Sequence, residues 1–312
     1  MTPTLDIIIV NYNAGDALYS CVSSIEQAMD ESFALRSVVI VDNASTDGSL
    51  KKLAGLSLPV TILKNDENMG FGAACNRGAA CSQAKYILFL NPDTRLNKES
   101  LRVPIAAFSN PAYSRAGMCS VRLVDGEGRT QRSCARFPTP LHFILRAFYI
   151  GRLFPGPRTN HFMLEWDHAA TREVDHVMGA FLLMPRALFN ELEGFDMRFF
   201  VYLEDMDLSL RAHRLGYVSL YLSDATAYHK GGGTSEKVKD LRLFYALQSR
   251  IRYSFKHYSR LAACLVSFFA LVIEPVTRLL FAAARLRFGE AVQTVKGYGK
   301  LYAWCFRPGR RS

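Results

Sequence analysis

The sequence predicts an α/β fold with a mostly parallel central sheet, followed by a helical tail. In the first hundred residues, short apolar runs typical of buried strands alternate with segments of helical spacing. Runs that are apolar throughout are typical of a parallel sheet covered by helices on both faces. We therefore expect a globular domain over residues 1–236, with halves at 1–110 and 111–236, and a tail over residues 237–312.

The first half of this domain supplies most of the predicted strands. "DIIIVNYN" is a β-branched run, and the segment after it has Leu18, Val22, Ile25 and Met29 at helical spacing. "SVVIVDNASTDGS", "VTILKN" and "YILFLNPD" are three further apolar runs. Over residues 110–175 the pattern is less regular, and proline-rich breaks at "RFPTP" and "FPGPR" predict long loops around short elements.

The second half of the domain ends in three clearer elements. "DHVMGAFLLMPRALFNEL" predicts a strand and then a helix with Pro185 in its first turn. "EDMDLSLRAHRLG" predicts a helix with Leu203, Met206 and Leu210 on its core face and Gly216 as its C-cap. "VSLYLSDATAYH" predicts one more strand.

Positive charge is concentrated in the tail. The whole chain holds 38 basic and 28 acidic residues, and residues 237–312 hold fifteen of the former and three of the latter. This asymmetry indicates an anionic partner for the tail alone. Nucleic acid is one such partner, but the basic residues flank an apolar run, which suits a lipid surface better and leads us to expect no nucleic-acid binding.

The apolar run of the tail predicts contact with a membrane. "LAACLVSFFALVI" (261–273) has thirteen residues without a charge, whereas a spanning helix needs about 20. We therefore expect a helix over 256–287 that lies in the membrane interface. Five basic residues flank it: Lys256, Arg260, Arg278, Arg285 and Arg287. A helical lid packed on the globular domain is the alternative interpretation.

The cysteines and the first residues indicate the compartment. The seven cysteines are odd in number, scattered and without a CxxC pair, which argues against a disulfide framework and a zinc site and fits a reducing environment. "MTPTLDIIIVNYN" lacks the basic region of a signal peptide. Together with the tail, these features predict a peripheral protein on the cytoplasmic side of a membrane.

Three apolar runs end in polar residues and predict one shared site. The pairs are Asn11 with Asn13, Asp42 with Asn43, and Asn91 with Asp93. Open α/β sheets bind ligands beyond the carboxyl ends of their strands, so these side chains are expected to converge on one crevice. For any one pair, ordinary turn or cap chemistry remains the alternative.

Two segments near that edge suit phosphate chemistry. In "FLNPDT", Pro92 bars regular ladder bonding and helps to project Asp93, whose carboxylate suits a divalent cation bridged to substrate phosphates. A helix cap at Asp93, before Thr94, is the alternative. "NMGFGAACNRG" is glycine-rich but is not GxGxxG, and Gly70 and Gly72 either admit a ligand close to the backbone or begin a helix.

A cluster of acids follows an aromatic segment. "FFVYLEDMDLSLRAHRLGY" places Glu204, Asp205 and Asp207 within four positions. Burial of unpaired carboxylates is costly, so the pattern predicts neutralisation by a metal, a proton or basic partners. A capped helix start with solvated acids is the alternative.

The motifs taken together resemble those of inverting family 2 glycosyltransferases of the GT-A fold. The similarity covers residues 4 to about 236, and it is narrower for the bacterial rhamnosyltransferase-like branch. In order, the motifs are "VNYN", "VDNASTDGS", "NMGFGAACNRG", "LFLNPDT", "GAFLLMPRALF", "GFDMRFFVYLEDMDLSLRAHRLGY" and "AYHKGGGTS". Each motif is weak alone, and the ordered set is specific. The resemblance implies a Rossmann-like GT-A catalytic domain.

The resemblance also implies roles for residues at the strand ends. Asp42 would bond the nucleobase, with Asn13 and Arg77 near the nucleotide, and the remaining nucleotide-binding residues would be Asn11, Asn43, Asn68, Gly70 and Asn91. Asp93 stands where the family places a metal-binding carboxylate, although Asn91-Pro92-Asp93 lacks the first acid of that motif. His229 matches a second metal ligand, with a loop histidine of no ligand role as the alternative. The implied cofactor is Mg²⁺ or Mn²⁺.

By the same resemblance Asp205 is the catalytic base, which takes the proton of the acceptor hydroxyl. The like charges of Glu204 and Asp207, and desolvation by Phe199, Phe200 and Tyr202, are expected to make it a stronger base. Arg211, four residues after Asp207, is expected to neutralise that acid. Acceptor contacts are expected from Asp175, His176 and Gly179.

The implied activity is inverting, metal-assisted transfer of a sugar from a nucleotide-sugar donor. The expected donor is dTDP-L-rhamnose and the acceptor a lipid-linked cell-surface glycan of the O-antigen, capsule or cell-wall type. Other hexosyl or galactofuranosyl donors, carried by UDP, remain open. A sugar nucleotidyltransferase is disfavoured because "VNYNAGDALYS" lacks an early glycine- and basic-rich phosphate loop. The expected location is the cytoplasmic face of a bacterial inner membrane.

Overall fold

The computed structural model describes residues 2–154, 156–231 and 238–306, which fall into two compact units. The sheet unit comprises Met1–Arg136, Trp166–Met197 and Glu204–Thr234. The helical unit comprises Phe137–Glu165, Arg198–Leu203 and Ser235–Ser312.

The elements of the sheet unit are β1 (Thr4–Asn11), α1 (Asp16–Ala28), β2 (Ala34–Asp42), β3 (Val60–Lys64), α2 (Phe71–Ala79), β4 (Tyr86–Leu90), β5 (Thr94–Arg95), α3 (Lys98–Ala107), β6 (Ala116–Val124) and β7 (Cys134–Ala135). After α4 (Pro140–Ala147) and α5 (Ile150–Leu153) of the helical unit, it continues with β8 (Arg172–Val174), β9 (His176–Val177), β10 (Phe181–Pro185), α6 (Arg186–Glu191), α7 (Glu204–Arg214) and β11 (Val218–His229). The helical unit ends with α8 (Lys239–His257), α9 (Arg260–Phe268), a π-helical turn (Phe269–Ile273), α10 (Glu274–Ala284) and α11 (Phe288–Cys305).

Within the described residues, nine strands form the central sheet in the order β3-β2-β1-β4-β10-β6-β11-β5, with β8 beside β11. The pairs among β1 to β4 are parallel, as is β6 with β11, whereas β10 runs antiparallel to both neighbours. Strands β7 and β9 form a separate pair. The predicted α/β fold with a mostly parallel sheet is confirmed.

The sheet is buried on both faces, as its continuous apolar strands predict. Strand β1 has every residue from Leu5 to Asn11 buried, and all five residues of β4 are buried. Helix α2 approaches β1 so closely that a Cβ at Gly78 would lie 2.6 Å from Ile8 Cγ2. Only glycine at position 78 therefore allows α2 to pack this closely against β1. This packing holds the glycine-rich segment before α2 at the edge of the sheet.

Two local predictions about the second half were wrong. Residues 116–124 form the nine-residue strand β6 in the interior of the sheet, where we expected loops. Its sequence "AGMCSVRLV" contains two β-branched residues, and therefore gives little strand signal. Pro185 ends β10 and is the N-cap of α6, so it lies outside the first helical turn.

Helix α7 is present but presents a different face to the core. Met206 is buried as predicted, whereas Leu203 and Leu210 are only partly buried, and Leu208 is fully enclosed. The same rotation buries the acids Glu204 and Asp207. A helix that turns two carboxylates inward needs neutralising partners, which the site supplies below.

The helical unit presents an apolar surface. From Arg260 to Ala284, α9, the π-helical turn and α10 form one continuous helix of 25 residues, the one stretch of the described chain that is long and apolar enough to cross a membrane. One face of this helix is exposed and consists of Leu261, Leu265, Phe268, Val272, Val276, Leu279 and Leu280. We call these seven residues the apolar face.

The opposite face of this helix packs inside the helical unit through small residues and an ion-pair network. Glu274 is fully buried, and its carboxylate accepts from Arg250 Nη1 at 2.5 Å and from Arg278 Nη2 at 2.6 Å. Burial opposes ionisation of Glu274, but the guanidinium groups of Arg250, Arg278 and Arg146 outweigh it and lower the pKa of this carboxyl to about 2. The ion pair between Glu274 and Arg250 fixes the middle of the long helix to α8, and each charge neutralises the other in the buried interior.

Candidate active site

The carboxyl ends of β2, β1 and β4 lie side by side at one edge of the central sheet. Asn11 is in register with Asp42, and β1 pairs in parallel with β4, so Asn91 lies beside the end of β1. Strand β10 begins at the same edge, where the N–H of Asn91 donates to the carbonyl of Ala180 at 2.9 Å. Neighbouring strands are about 4.8 Å apart, so these four ends span about 14 Å.

Asp42 is buried at the end of β2 and accepts one hydrogen bond on each carboxylate oxygen. Asn11 Nδ2 donates to Oδ1 at 2.7 Å, and the N–H of Ser45 donates to Oδ2 at 3.2 Å. The N–H of Asn13 donates to Ser45 Oγ at 3.0 Å, which places Asn13 in the same cluster. Asn11 Oδ1 is buried and has no donor within the described part of the chain. The cluster therefore offers acceptor atoms to a ligand that carries N–H groups.

Asn43 connects the end of β2 to the glycine-rich segment. Its Nδ2 donates to the carbonyl of Gly70 at 3.1 Å, and its Oδ1 accepts from Asn65 Nδ2 at 2.5 Å. Asn68 Oδ1 accepts from the N–H of Gly70 at 3.0 Å. Arg77, exposed in the last turn of α2, also donates to Asn65. Four of the residues predicted to surround the nucleotide, Asn43, Asn68, Gly70 and Arg77, are thus joined in one network through Asn65.

Asp93 lies in the turn between β4 and β5 and faces His229 at the end of β11. Asp93 Oδ1 is 3.4 Å from His229 Nε2, and pairing of β5 with β11 holds the two together. Helix α3 is capped by Asn97, so the alternative interpretation of Asp93 as a helix cap is wrong. Gln131 Oε1 is 2.9 Å from His229 Nδ1, and Gln131 Nε2 donates to the carbonyl of His229 at 2.7 Å.

This arrangement suits a cation between Asp93 and His229. Since Gln131 Nε2 is the donor of one bond, its Oε1 is the acceptor of the other, which assigns a hydrogen of the imidazole to Nδ1. Nε2 of His229 is then the ring atom that faces the carboxylate of Asp93. Within the described residues no third His, Cys, Asp or Glu joins them, so a divalent ion here would take its other ligands from phosphates and water.

Asp205, in the first turn of α7, is held by backbone donors. The N–H of Gly179 donates to Oδ2 at 2.9 Å, and the N–H of Met206 donates to Oδ1 at 2.8 Å. A Cβ at Gly179 would lie 3.1 Å from Oδ2, so glycine permits this close approach. Gly179 immediately precedes Ala180, and Asp205 therefore lies at the same sheet edge as Asn91.

His176 lies next to Asp205 and is buried. Ser209 Oγ donates to the carbonyl of Asp205 at 2.9 Å, which leaves it to accept from His176 Nδ1 at 3.0 Å. His176 Nε2 lies 3.7 Å from Asp205 Oδ2. Burial lowers the pKa of His176, and the charges of Asp205 and Asp175 oppose this only in part. The site thus pairs an ionisable carboxylate with a neutral imidazole.

The other two acids of the cluster are neutralised in different ways. Burial, and then the charge of Asp205, raise the pKa of Glu204 well above its usual value, and Glu204 Oε2 has no hydrogen-bond partner in the described chain. Asp207 is fully buried and accepts from Arg211 Nε at 2.8 Å, which confirms the predicted pair. Arg211 Nη2 also donates to the carbonyl of Gly194 at 2.7 Å. A proton neutralises Glu204 and an arginine neutralises Asp207.

The aromatic residues of the predicted wall belong to the helical unit, whereas the three acids belong to the sheet unit. Phe200 stacks on Tyr245 with ring centroids 4.3 Å apart, and Lys256 Nζ lies 5.8 Å from the centre of the Phe199 ring. Within the sheet unit, Glu204 and Phe195 both pack over Gly72, where a Cβ would lie 3.1 Å from Phe195 Cβ and 3.7 Å from Glu204 Cβ. Desolvation of the acids by Phe199, Phe200 and Tyr202 stays a prediction.

The proton on Glu204 predicts a pH dependence of stability. A folded-state pKa above the unfolded value contributes stability that is fully present below about pH 4.5 and is lost as the pH rises through the folded pKa. Glu204→Gln should therefore raise the free energy of unfolding at about pH 8, by on the order of 1 kcal/mol, and change it little at about pH 4.5. Urea unfolding at the two pH values measures this. The exposed Glu191→Gln is the matched control, and an equal pH slope in both variants would contradict the assignment.

Several side chains that shape the site gave no signal in the sequence. Gln131 orients His229 from 98 residues away, and Ser209 orients His176 from 33 residues away. Ser45 and Ser49 hold the Asp42–Asn11 cluster, because the hydroxyl of each accepts a hydrogen bond from Asn11 Nδ2. In the sequence both serines lie in a segment that predicts only a turn. Their roles depend on tertiary contacts that spacing alone does not encode.

Comparisons with known proteins agree with the fold and identify the family. The family model described as "Glycosyl transferase family 2" matches residues 6–190, more than half of the chain. The N-acetylglucosaminyl-diphospho-decaprenol L-rhamnosyltransferase of Mycobacterium tuberculosis is 29% identical over 241 residues, which are 73% of this chain and 76% of that protein. Rhamnosyltransferase WbbL of Escherichia coli is 27% identical over 192 residues, which are 59% of this chain and 69% of WbbL.

Solved structures share the architecture at low sequence identity. The mannosyltransferase PcManGT from Pyrobaculum calidifontis, in complex with GDP-Man and Mn²⁺, has a TM-score of 0.57 at 15% identity and covers 98% of this chain and 89% of its own. GalNAc-T7 with UDP, GalNAc and Mn²⁺ has a TM-score of 0.55 at 15% identity and covers 82% of this chain and 50% of its own. At this identity the likeness shows the fold.

Proposed function

This chain belongs to glycosyl transferase family 2, and we propose on that premise that it transfers L-rhamnose from dTDP-L-rhamnose to a hydroxyl of a lipid-linked cell-surface glycan, with inversion at the sugar. The GT-A fold and the enzyme class are established by the comparisons. The similarity to two rhamnosyltransferases, one named for a lipid-linked N-acetylglucosaminyl diphosphate, supports the sugar and the acceptor. The observation that carries the proposal is the placement of Asp205, Asp42 and the Asp93–His229 pair along one sheet edge.

In the proposed reaction Asp205 accepts the proton of the acceptor hydroxyl as that oxygen attacks the anomeric carbon. The two backbone N–H groups from Gly179 and Met206 fix the carboxylate, so that its remaining lone pairs point where the acceptor enters. Neutral His176 lies beside it, with Nε2 3.7 Å from Asp205 Oδ2, and together with Asp175 it is assigned to the acceptor side of the site. No second carboxylate is needed, because direct displacement forms no sugar–enzyme bond.

On the donor side, Asp42 and its cluster bind the base of the nucleotide through N–H groups. Asn43, Asn68, Gly70 and Arg77 hold the loop against which the nucleotide lies. Asp93 and His229 would hold Mg²⁺ or Mn²⁺, which would supply positive charge to the departing diphosphate. Direct displacement requires the diphosphate and Asp205 to lie on opposite sides of the sugar.

A donor panel tests the proposed activity. With Mg²⁺ or Mn²⁺ and a lipid-linked N-acetylglucosaminyl diphosphate acceptor, dTDP-L-rhamnose should release free nucleoside diphosphate faster than UDP-glucose, UDP-galactose or UDP-galactofuranose. A faster reaction with a UDP-sugar would replace rhamnose with a hexosyl or galactofuranosyl donor. Absence of release with every donor would contradict the assignment as a transferase of this kind.

The cation site predicts a separate loss in nucleotide binding. Asp93→Ala should weaken the affinity for the nucleoside diphosphate about 10- to 100-fold in the presence of Mn²⁺, and change it little in EDTA. Calorimetric titration with dTDP measures both conditions. Asp224→Ala, which removes an exposed carboxylate from β11, is the matched control, and unchanged affinity in Asp93→Ala would exclude this carboxylate from the cation site.

We assign the membrane contact to the helical unit. The apolar face runs from Leu261 to Leu280 and is exposed along about 29 Å of helix, which is an arrangement that soluble surfaces avoid and interfacial helices need. Burial of the Glu274 network on the other side of the helix favours a position in the plane of the membrane over a crossing, because a crossing would carry three charges into hydrocarbon. Catalysis is proposed for residues 1–236, and anchoring to the cytoplasmic face of a bacterial inner membrane for residues 237–312.

A further inference from the structure

A cavity of about 380 Å³ lies in the helical unit, on the side of the long helix that carries Arg278. Its lining comes from α5, α8, α10 and α11 and from Tyr149, which precedes α5. Four basic side chains, Lys239, Arg278, Arg285 and Arg287, and one acid, Glu290, line it. A cavity so enriched in cations suits an anion.

Two of the four cations are already neutralised. Arg278 is bound to Glu274 at 2.6 Å, and Arg287 pairs with Glu290 at 3.0 Å. Lys239 and Arg285 have no acid within ion-pair distance among the residues that the structure describes. The positive charge available to a ligand therefore comes from these two side chains, which approach from α8 and from the end of α10.

The rest of the wall is aromatic and aliphatic. Tyr149 has φ 60° at the C-terminal end of α4, where glycine is the usual residue, and its ring lies 4.6 Å from that of Phe281. The strained backbone at this point directs an aromatic ring into the cavity. Leu286 and Phe288, exposed to 76% and 70%, lie next to the two arginines in sequence. The cavity residues Arg285 and Arg287 are thus flanked by the exposed apolar side chains of Leu286 and Phe288, which we call the apolar border.

From this border we propose that the cavity binds the phosphate headgroup of an anionic membrane phospholipid, a proposal that rests on the membrane contact proposed above. A phosphodiester bridges Lys239 and Arg285 through charge-assisted hydrogen bonds, and the acyl chains leave past the exposed side chains of Leu286 and Phe288. A free phosphate would gain the charge contacts but not the apolar ones. The combination favours a lipid as the occupant.

Vesicle binding by the full chain tests the proposal. Wild-type protein should sediment more strongly with vesicles that contain phosphatidylglycerol than with phosphatidylcholine alone. The double variant Lys239→Ala with Arg285→Ala should lose about tenfold in affinity for the anionic vesicles and keep its affinity for the neutral ones. Arg242→Ala with Lys296→Ala removes two exposed cations of the same unit that do not line the cavity, and it should lose much less.

Equal losses in the two double variants would overturn the site and leave only diffuse attraction between charges. Calorimetric titration identifies the source of the phosphate: short-chain phosphatidylglycerol should bind wild-type protein more tightly than inorganic phosphate does, and the reverse order would overturn the lipid assignment. If wild-type protein binds neither kind of vesicle, both the cavity proposal and the membrane contact fall. Neither readout depends on sugar transfer, so a failed donor assay leaves this test intact.

Discussion

Asp205→Asn is expected to lower kcat by about 10³-fold and to leave the affinity for the nucleoside diphosphate nearly unchanged. Removal of a positioned general base costs about 10²- to 10⁴-fold, and the amide cannot take the proton of the acceptor. The carboxylate contacts Gly179 and Met206 and no residue of the Asp42 cluster in the described chain, so donor binding does not depend on it. Steady-state transfer rates and calorimetric titration with dTDP measure the two quantities.

Asp224→Asn is the matched control, because it makes the same chemical change at an exposed position of β11. This variant should transfer the sugar at the wild-type rate. If Asp205→Asn retains turnover within a few fold of wild type, another group is the base. If it loses nucleotide affinity as well, the change has disturbed the sheet edge, and its effect on rate no longer reports proton transfer.

Glu274→Gln is expected to be the most destabilising conservative change in the helical unit, at about 3 kcal/mol. The amide leaves the buried guanidinium groups of Arg250 and Arg278 without their counter-charge, and breaking one side of a buried ion pair typically costs about 3–5 kcal/mol. The exposed pair of Glu290 with Arg287 is the control, because loss of an exposed pair costs about 0–1 kcal/mol. Urea unfolding of Glu274→Gln and Glu290→Gln gives the comparison.

The two tryptophans allow each unit to be followed separately. Trp166 lies in the sheet unit and Trp304 in the helical unit. In a Trp166→Phe background the fluorescence of Trp304 should report the decrease in the free energy of unfolding that Glu274→Gln causes.

The stabilisation by ionised Glu274 also depends on pH. Because the pKa of Glu274 is about 2, this stabilisation is complete above about pH 4.5 and is lost as the pH falls towards 2. A decrease in the free energy of unfolding of less than about 1 kcal/mol in Glu274→Gln, or one equal to that in Glu290→Gln, would show that the network does not stabilise the helical unit.

The sequence predicted the sheet edge well because its signals are local. Strands β1 and β4 are buried apolar runs, and the last five residues of β2 are buried. The polar residues Asn11 and Asp42 end their strands and Asn91 follows β4, and the parallel register brings the three into one row. Asp42 and Asp93 could thus be placed without knowledge of any long-range contact.

The features that the sequence did not predict depend on long-range contacts. At these positions the local sequence is compatible with more than one structure. Leu208 and Leu210 lie in α7 and Leu203 directly precedes it, so the spacing of leucines permits more than one buried face, and the packing of Phe195 and Glu204 over Gly72 decides between them. Strand β6 is held by its two neighbours in the sheet and not by β-branched residues. Glu274 appeared only as an interruption of an apolar run, because Arg250 lies 24 residues earlier.

The anomeric configuration of the product tests the central claim most directly. With dTDP-L-rhamnose and an acceptor in hand, NMR of the glycosidic linkage distinguishes a single displacement from a double one. Asp205 as the base at the sheet edge, with the donor held by the Asp42 cluster and the Asp93–His229 pair, predicts a product whose anomeric configuration is opposite to that of the donor. A product that keeps the configuration of the donor would contradict this mechanism.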